Sequence, residues 1–214
     1  MQNQPDTRFR RLRRKGSRDF ALACNIIDAA RICHVGFSLD HQVYVIPMAL
    51  ARDGARVLLH GAVASRLMKN LAGGLPCCVT VTLLDGLVLA RSAFNSSMNY
   101  RCVMIFGQAG IVSGADEKIR GLEILTGHLM PGRLAEIRPS TRKELNATTL
   151  LSLPLETFTV KISNSPPDDP SKDKDAPVWA GVLPLRLKAG KPQAAPDLAA
   201  GIPVPKYLHK WTFS

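Results

Sequence analysis

Apolar residues recur along this chain first at helical and then at strand spacing. Phe20, Ala23, Cys24, Ile27 and Ala30 form one stripe at a 3.6-residue period, which predicts a helix from a Ser17 cap through about Ile32. The pattern then becomes β-branched, with strands expected over residues 34–39 and 42–51, hinged at Asp40-His41. Arg52-Asp53-Gly54-Ala55 reads as a tight turn in which Asp-Gly supplies the positive φ of a hairpin. A strand over 56–60 follows and ends at Gly61. Ser65 then caps a short helix that runs to Leu71 and stops at Gly73-Gly74.

Beyond that helix, strands over 77–84 and 87–94 flank an Asp85-Gly86 turn, the strongest short hairpin signal in the chain. Another long strand is expected over 99–112. Ser113 and Asp116 have capping spacing for a helix with the stripe Ile119, Leu122, Leu125 and Leu129, and Thr141 and Glu144 repeat that spacing. A last strand covers 150–162, with Pro154 marking an edge or a bulge. The sum is a mainly β fold of six or more antiparallel strands with flanking helices, closed or partly closed into a barrel so that vulnerable edges are removed.

Composition divides the chain further. Residues 1–16 form a basic flexible arm, 17–163 the barrel domain, and 164–214 a Pro-rich extended tail. Trp179, Tyr207 and Trp211 in that tail are anchors for wrapping a body, its own or a partner's. With 46% hydrophobic and 21% charged residues, the 214-residue chain has the makings of a sizeable core. No apolar run approaches a membrane span, and no apolar signal core follows the basic start. Five cysteines in apolar segments favour reduced, buried thiols and a cytoplasmic protein.

The formal charge of +11 raises the question of nucleic acid. Much of it is local, on Arg8, Arg10, Arg11, Arg13, Arg14, Lys15 and Arg18. Aromatic residues make up only 6% of the chain, and Phe9 is the one ring within the basic run. No zinc-finger spacing or RNA-binding strand signature is present, so nucleic acid is set aside as a partner.

The corner from Gln42 to Arg66 carries the candidate chemistry. A strand, a loop and a helix start present free backbone N–H groups and a helix dipole to an anion, and Ser65 and Arg66 add a hydroxyl donor and a charged planar fork. Pro47 lacks an N–H and suits an edge where a flat ligand lies against the strand. Arg91, Ser92, Asn95, Ser96, Asn99 and Tyr100 concentrate donors at a hairpin tip that can reach a ligand or another subunit. There is no G-x-G-x-x-G, Walker A or metal spacing, and no catalytic acid, base or nucleophile stands out. The chemistry would belong to a bound cofactor.

Five segments taken in order are specific: HVGFSLDHQVYVIPM (34–48), LLHGAVASRLMKNL (58–71), VTVTLLDGLVLARSAF (79–94), SMNYRCVMIFGQA (97–109) and DDPSKDKDAPVWAGVLPL (168–185). Together they resemble the pyridoxamine 5′-phosphate oxidase-related flavin-nucleotide-binding proteins, in the subgroup that includes the nitroimidazole-resistance proteins. The resemblance implies an FMN-binding split β-barrel that works as a homodimer with FMN at the subunit interface. By matching position, Val45, Ile46, Pro47 and Met48 would lie along the isoalloxazine and ribityl chain. Leu59, His60 and Gly61 would line the same groove, and Ser65 and Arg66 would hold the phosphate. Arg91, Ser92, Asn99 and Tyr100 match the segment near the flavin edge, and His60 matches a histidine that contacts substrate. The implied activity is an FMN-dependent oxidoreductase reducing a small substrate such as a nitroaromatic. The alternative is a non-catalytic flavin, deazaflavin or haem binding or sensing protein. Asn95 and Ser96 replace two histidines common in the subgroup, and the Arg/Lys-rich substrate segment of a true pyridoxamine phosphate oxidase is missing.

Overall fold

The computed structural model of the protein describes residues 5–9 and 13–211. Arg10 and Arg11 of the basic arm lie outside the described residues. In chain order the elements are β1 (Gly16–Ser17), α1 (Phe20–Ala29), β2 (Ile32–Leu39), β3 (Gln42–Ala49), β4 (Ala51–Asp53), β5 (Arg56–Ala62), α2 (Arg66–Ala72) and β6 (Pro76–Leu89). They continue as β7 (Ser97–Gln108), β8 (Gly110–Ile111), α3 (Ala115–Leu129), α4 (Arg142–Ala147), β9 (Thr148–Pro154), β10 (Phe158–Ser163) and β11 (Gly181–Pro184).

The strands make two antiparallel sheets. The larger has the order β1-β10-β7-β6-β2-β3, with β11 added to β6, and the smaller has the order β4-β5-β9-β8. This is a split barrel. Its interior is filled by Val35, Leu59, Val79, Val81, Val103, Ile105, Leu151 and Leu153, with Ile26 and Ile27 of α1 and Met68 and Leu71 of α2 closing the ends. Burying side chains of this size stabilises by about 1.5–3 kcal/mol each, an upper estimate for the extended reference chain. A second cluster of Ala51, Leu58, Val112, Leu125 and Leu150 seats α3 on the outside of the smaller sheet.

Local chemistry explains the tight turns. Asp40 and His41 both adopt positive φ, 51° and 62°, in the two-residue hairpin between β2 and β3, the geometry a type I′ turn demands. Gly54, at φ 61°, makes the next turn, and Asp53 pairs with Arg56 across it. Thr141 and Glu144 form a complete capping box on α4.

Several expected elements are corrected by non-local pairing. Asp85-Gly86 is a β-bulge inside one 14-residue strand, between the pairs Leu84↔Tyr100 and Gly86↔Asn99. The chain does not turn there because Asp85 is held across the strands by Arg101, its Oδ1 2.8 Å from Nη2. Gly86 faces the tail instead: an added Cβ would sit 2.9 Å from the Leu183 carbonyl. The strand expected over 150–162 is two strands, β9 and β10, in different sheets. The strand expected over 99–112 is likewise divided, at Ala109. Asp19 rather than Ser17 caps α1, its Oδ1 accepting the Leu22 N–H at 3.0 Å, while Ser17 is consumed in β1 opposite Val160. Gly114 precedes α3 with no side-chain cap, so Ser113 does not serve there.

Candidate functional site

β5 runs out at Ala62, and two hydrogen bonds fold the following loop. The Val63 N–H donates to the Ala147 carbonyl and the Ser65 N–H to the Ala62 carbonyl. Ser65 then caps α2, its Oγ 3.5 Å from the Met68 N–H. That contact uses an acceptor lone pair of the hydroxyl and leaves its proton to donate elsewhere. Arg66 is exposed and forms no ion pair with the described residues. Its guanidinium lies over the Tyr44 ring, 5.1 Å from the centroid, and Tyr44 is stacked on Phe37 at 5.2 Å. The corner and β3 are therefore neighbours.

β3 is the edge of the larger sheet, so the missing N–H of Pro47 breaks no ladder. Strand alternation splits the four β3 candidates into two pairs. Val45 and Pro47 are exposed, Val45 to 63%, whereas Ile46 and Met48 are half-buried and pack on the interior. The β5 candidates divide in the same way. Leu59 is fully buried in the barrel. Gly61 is half-buried against Met68. His60 shares the face of Leu58, on the α3 side of the sheet. Its Nδ1 is buried without a partner, and burial lowers its pKa, so the imidazole is neutral.

At the hairpin tip, Arg91 is tied to the tail. Its backbone N–H and its Nη1 donate to Asp169, each at 3.0 Å, and the Asp169 side chain is only 2% exposed. The Ser92 Oγ accepts the Asn95 N–H, and its carbonyl accepts the Ser96 hydroxyl. Asn99 is buried and binds the Ser165 carbonyl and N–H. Tyr100 is half-buried opposite Leu84. The ring of Phe94 stands 96% exposed at the tip. Arg91 and Asn99 thus brace the start of the tail.

Sequence reading missed a hollow of about 800 Å³ on the outer face of the larger sheet. Its walls are Ala29 to Ile32, Thr82 to Asp85, Arg101 and Pro184 to Leu187. It exists because β6 changes neighbours along one edge: β2 pairs with residues 77–80 and β11 with residues 86–89, leaving the stretch between without a strand. Three separate segments build it, so no local motif announces it. The thiols play no comparable part: burial pushes Cys33 up to about 12 and Cys77 up to about 11, leaving both protonated.

Against this geometry, three likenesses carry weight. The chain is 38% identical to the FAD and heme binding protein from Mycobacterium smegmatis, with a TM-score of 0.88 over 92% of this chain and 97% of that one. It is 36% identical to the flavocytochrome Anf3 from Azotobacter vinelandii, with a TM-score of 0.89 over 96% of this chain and 95% of that one. A putative 5-nitroimidazole antibiotic resistance protein from Bacteroides thetaiotaomicron shares the fold, at 22% identity and a TM-score of 0.58 over 69% of this chain and 86% of that one. No curated protein matches the chain in sequence. A family model described as pyridoxamine 5′-phosphate oxidase matches residues 21–162. The chain belongs to the pyridoxamine 5′-phosphate oxidase family.

Proposed function

We propose that this protein is a redox protein that binds a flavin nucleotide and haem and works as a homodimer. The observation that carries the reading is the corner at Ser65 and Arg66, where a hydroxyl proton and a guanidinium stand unspent beside an edge strand. Ser65 and Arg66 would hold the nucleotide's phosphate, and the edge of β3 from Val45 to Met48 would flank the flat ring system. A bound flavin supplies two-electron chemistry that no side chain of this protein offers. The protein's own work is positional. Tyr44 and Phe37 fix the guanidinium from below, and Ile46 and Met48, on the same face of β3 as Tyr44, exclude water beneath the groove. Ser92, Asn99 and Tyr100 would meet the flavin only through the dimer, whereas Arg91 is already matched by Asp169.

FMN is the nucleotide implied by the family. FAD and haem are favoured by the Mycobacterium smegmatis relative named for both, and a flavin with a cytochrome by the relative named a flavocytochrome, each matched over nearly the whole of this chain. Dimer formation is supported by the apolar outer face, where Val43 is 66% and Ile32 52% exposed, and by the projecting Phe94. Free cysteines support a reducing compartment. Extraction of the bound nucleotide followed by mass measurement is expected to return FAD, and FMN would restore the shorter nucleotide. Colourless protein that quenches the fluorescence of neither would overturn the flavin reading. Anaerobic reoxidation of the reduced protein by a nitroaromatic tests that acceptor class directly.

A further inference from the structure

We infer that the hollow on the outer face of the larger sheet binds an amphipathic carboxylate, a small molecule with an apolar body and one anionic end. The inference is separate from the flavin corner and uses none of its residues.

The charge of the lining asks for an anion. Arg31, Arg101 and Arg186 stand there against a single acid, Asp85. Asp85 is spent on Arg101, its Oδ1 2.8 Å from Nη2. Arg186 is exposed and forms no ion pair with the described residues. Arg31 is half-buried and meets no carboxylate among them. Asp28, three residues before it, gives both carboxylate oxygens to Arg52, at 2.9 and 2.6 Å. His128 stands 3.4 Å from the Arg31 Nη1 and, kept neutral by burial, brings no counter-charge. A guanidinium drawn out of water with no anion beside it carries a desolvation cost that an incoming carboxylate offsets.

Arg31 is also placed in advance. Its Nη1 donates to the carbonyls of Asp28 and Ala30, at 3.1 and 3.2 Å, which pins the side chain to the end of α1. Nη2 has no partner among the described residues and remains to donate to a carboxylate oxygen. A donor fixed before its ligand arrives loses little freedom on binding.

The rest of the hollow selects the apolar body. Ile32, Leu84 and Leu187 line it and are exposed. No strand of the chain covers this stretch, because β2 pairs with β6 only as far as Thr80 and β11 only from Gly86. The volume of about 800 Å³ is in the range of small-molecule sites. An inorganic anion would leave these walls wet, and an uncharged hydrocarbon would leave Arg31 and Arg186 unanswered. A ligand carrying both features satisfies both.

The test is calorimetric titration of the purified full-length protein with octanoate, with acetate and 1-octanol as the two halves of the ligand taken separately. Octanoate is expected to bind at a single site on each chain, and acetate and 1-octanol to bind far more weakly. Arg31→Gln and Arg186→Gln should each weaken octanoate about tenfold, the effect of one charge-assisted contact. Thr82→Trp, which puts a ring into the hollow from an exposed position, should abolish binding. Flavin content, and the mass measured by light scattering, should stay those of wild type in all three variants. Wild type that takes up no octanoate at millimolar concentration would overturn the assignment, and so would binding left intact by both Arg186→Gln and Thr82→Trp. Acetate or 1-octanol binding as tightly as octanoate would overturn it as well. Wild type that takes up no octanoate, with Thr82→Trp splitting a dimer, would overturn it by giving this face to a second copy of the chain.

Discussion

Two arginines at different places in the larger sheet's surroundings have opposite fates. Arg66, at the start of α2, rests on Tyr44 and meets no carboxylate among the described residues. Arg91, at the hairpin tip, is locked to the buried Asp169 by side chain and backbone together. Both arginines read alike in the sequence, as a charged fork beside a serine. The difference lies in what the tail delivers to each: a carboxylate at the tip, and nothing at the corner. A guanidinium already matched by a buried anion serves as a brace, whereas one beside an unspent hydroxyl is available to a ligand.

Substitution can break this contrast, and the largest effect belongs to the brace. Asp169→Ala leaves Arg91 half-buried with neither partner, which costs about 3 kcal/mol. At about 2–4 °C per kcal/mol for a chain of this size, the melting temperature should fall by about 6–12 °C with flavin affinity little changed. Arg66→Ala should do the reverse. Losing a charge-assisted phosphate contact costs about 1.5–3 kcal/mol, so the flavin dissociation constant rises about ten- to a hundredfold while the melt of the flavin-free protein stays put. If Arg91→Ala weakened flavin as much as Arg66→Ala, the distinction drawn between them would collapse. Gly86→Val comes next: a side chain there meets the Leu183 carbonyl, and overpacking of this kind costs about 1–3 kcal/mol. Protease should then release the tail before the barrel.

The smallest effect is a pH dependence. Arg120 and then Arg56 hold the Asp53 carboxyl down to about 2, from an ordinary value of 3.8. A carboxylate whose pKa is lowered by folding contributes stability above its unfolded value and loses it as acid protonates the folded form. Acid unfolding should therefore show a component between about pH 4 and pH 2 that disappears in Asp53→Asn. A melt of the variant that still tracks the wild type through that window would remove Asp53 from the account.

What could be read from the sequence was whatever the chain settles within a few residues. The hinge at Asp40-His41, the Gly54 turn, the Ser65 cap and the capping box at Thr141 each depend on neighbours in sequence, and each stands in the structure. Asp85-Gly86 carries the same local signal as Asp53-Gly54, yet becomes a bulge because Arg101 and the tail strand act on it from 16 and about 100 residues away. Strands that change sheets at Ala109 and after Pro154 were read as single runs, since apolar alternation continues across a change of sheet. In the candidate site, the corner of Ser65 and Arg66 was legible and its approach to Tyr44 was not. The hollow beside Ile32 depends on where two strands end along a third, which no periodicity encodes.

Between Ala49 and Ala51 a single residue, fully buried Leu50, carries the chain from one sheet to the other. Shifting a strand by one position exchanges its inward and outward faces, so this joint tolerates neither insertion nor deletion. Length variation among descendants of this chain should collect at the tip around Phe94 and in the tail, while the spacing from Tyr44 to Arg66 stays fixed, like the distance between two holes drilled in one plate.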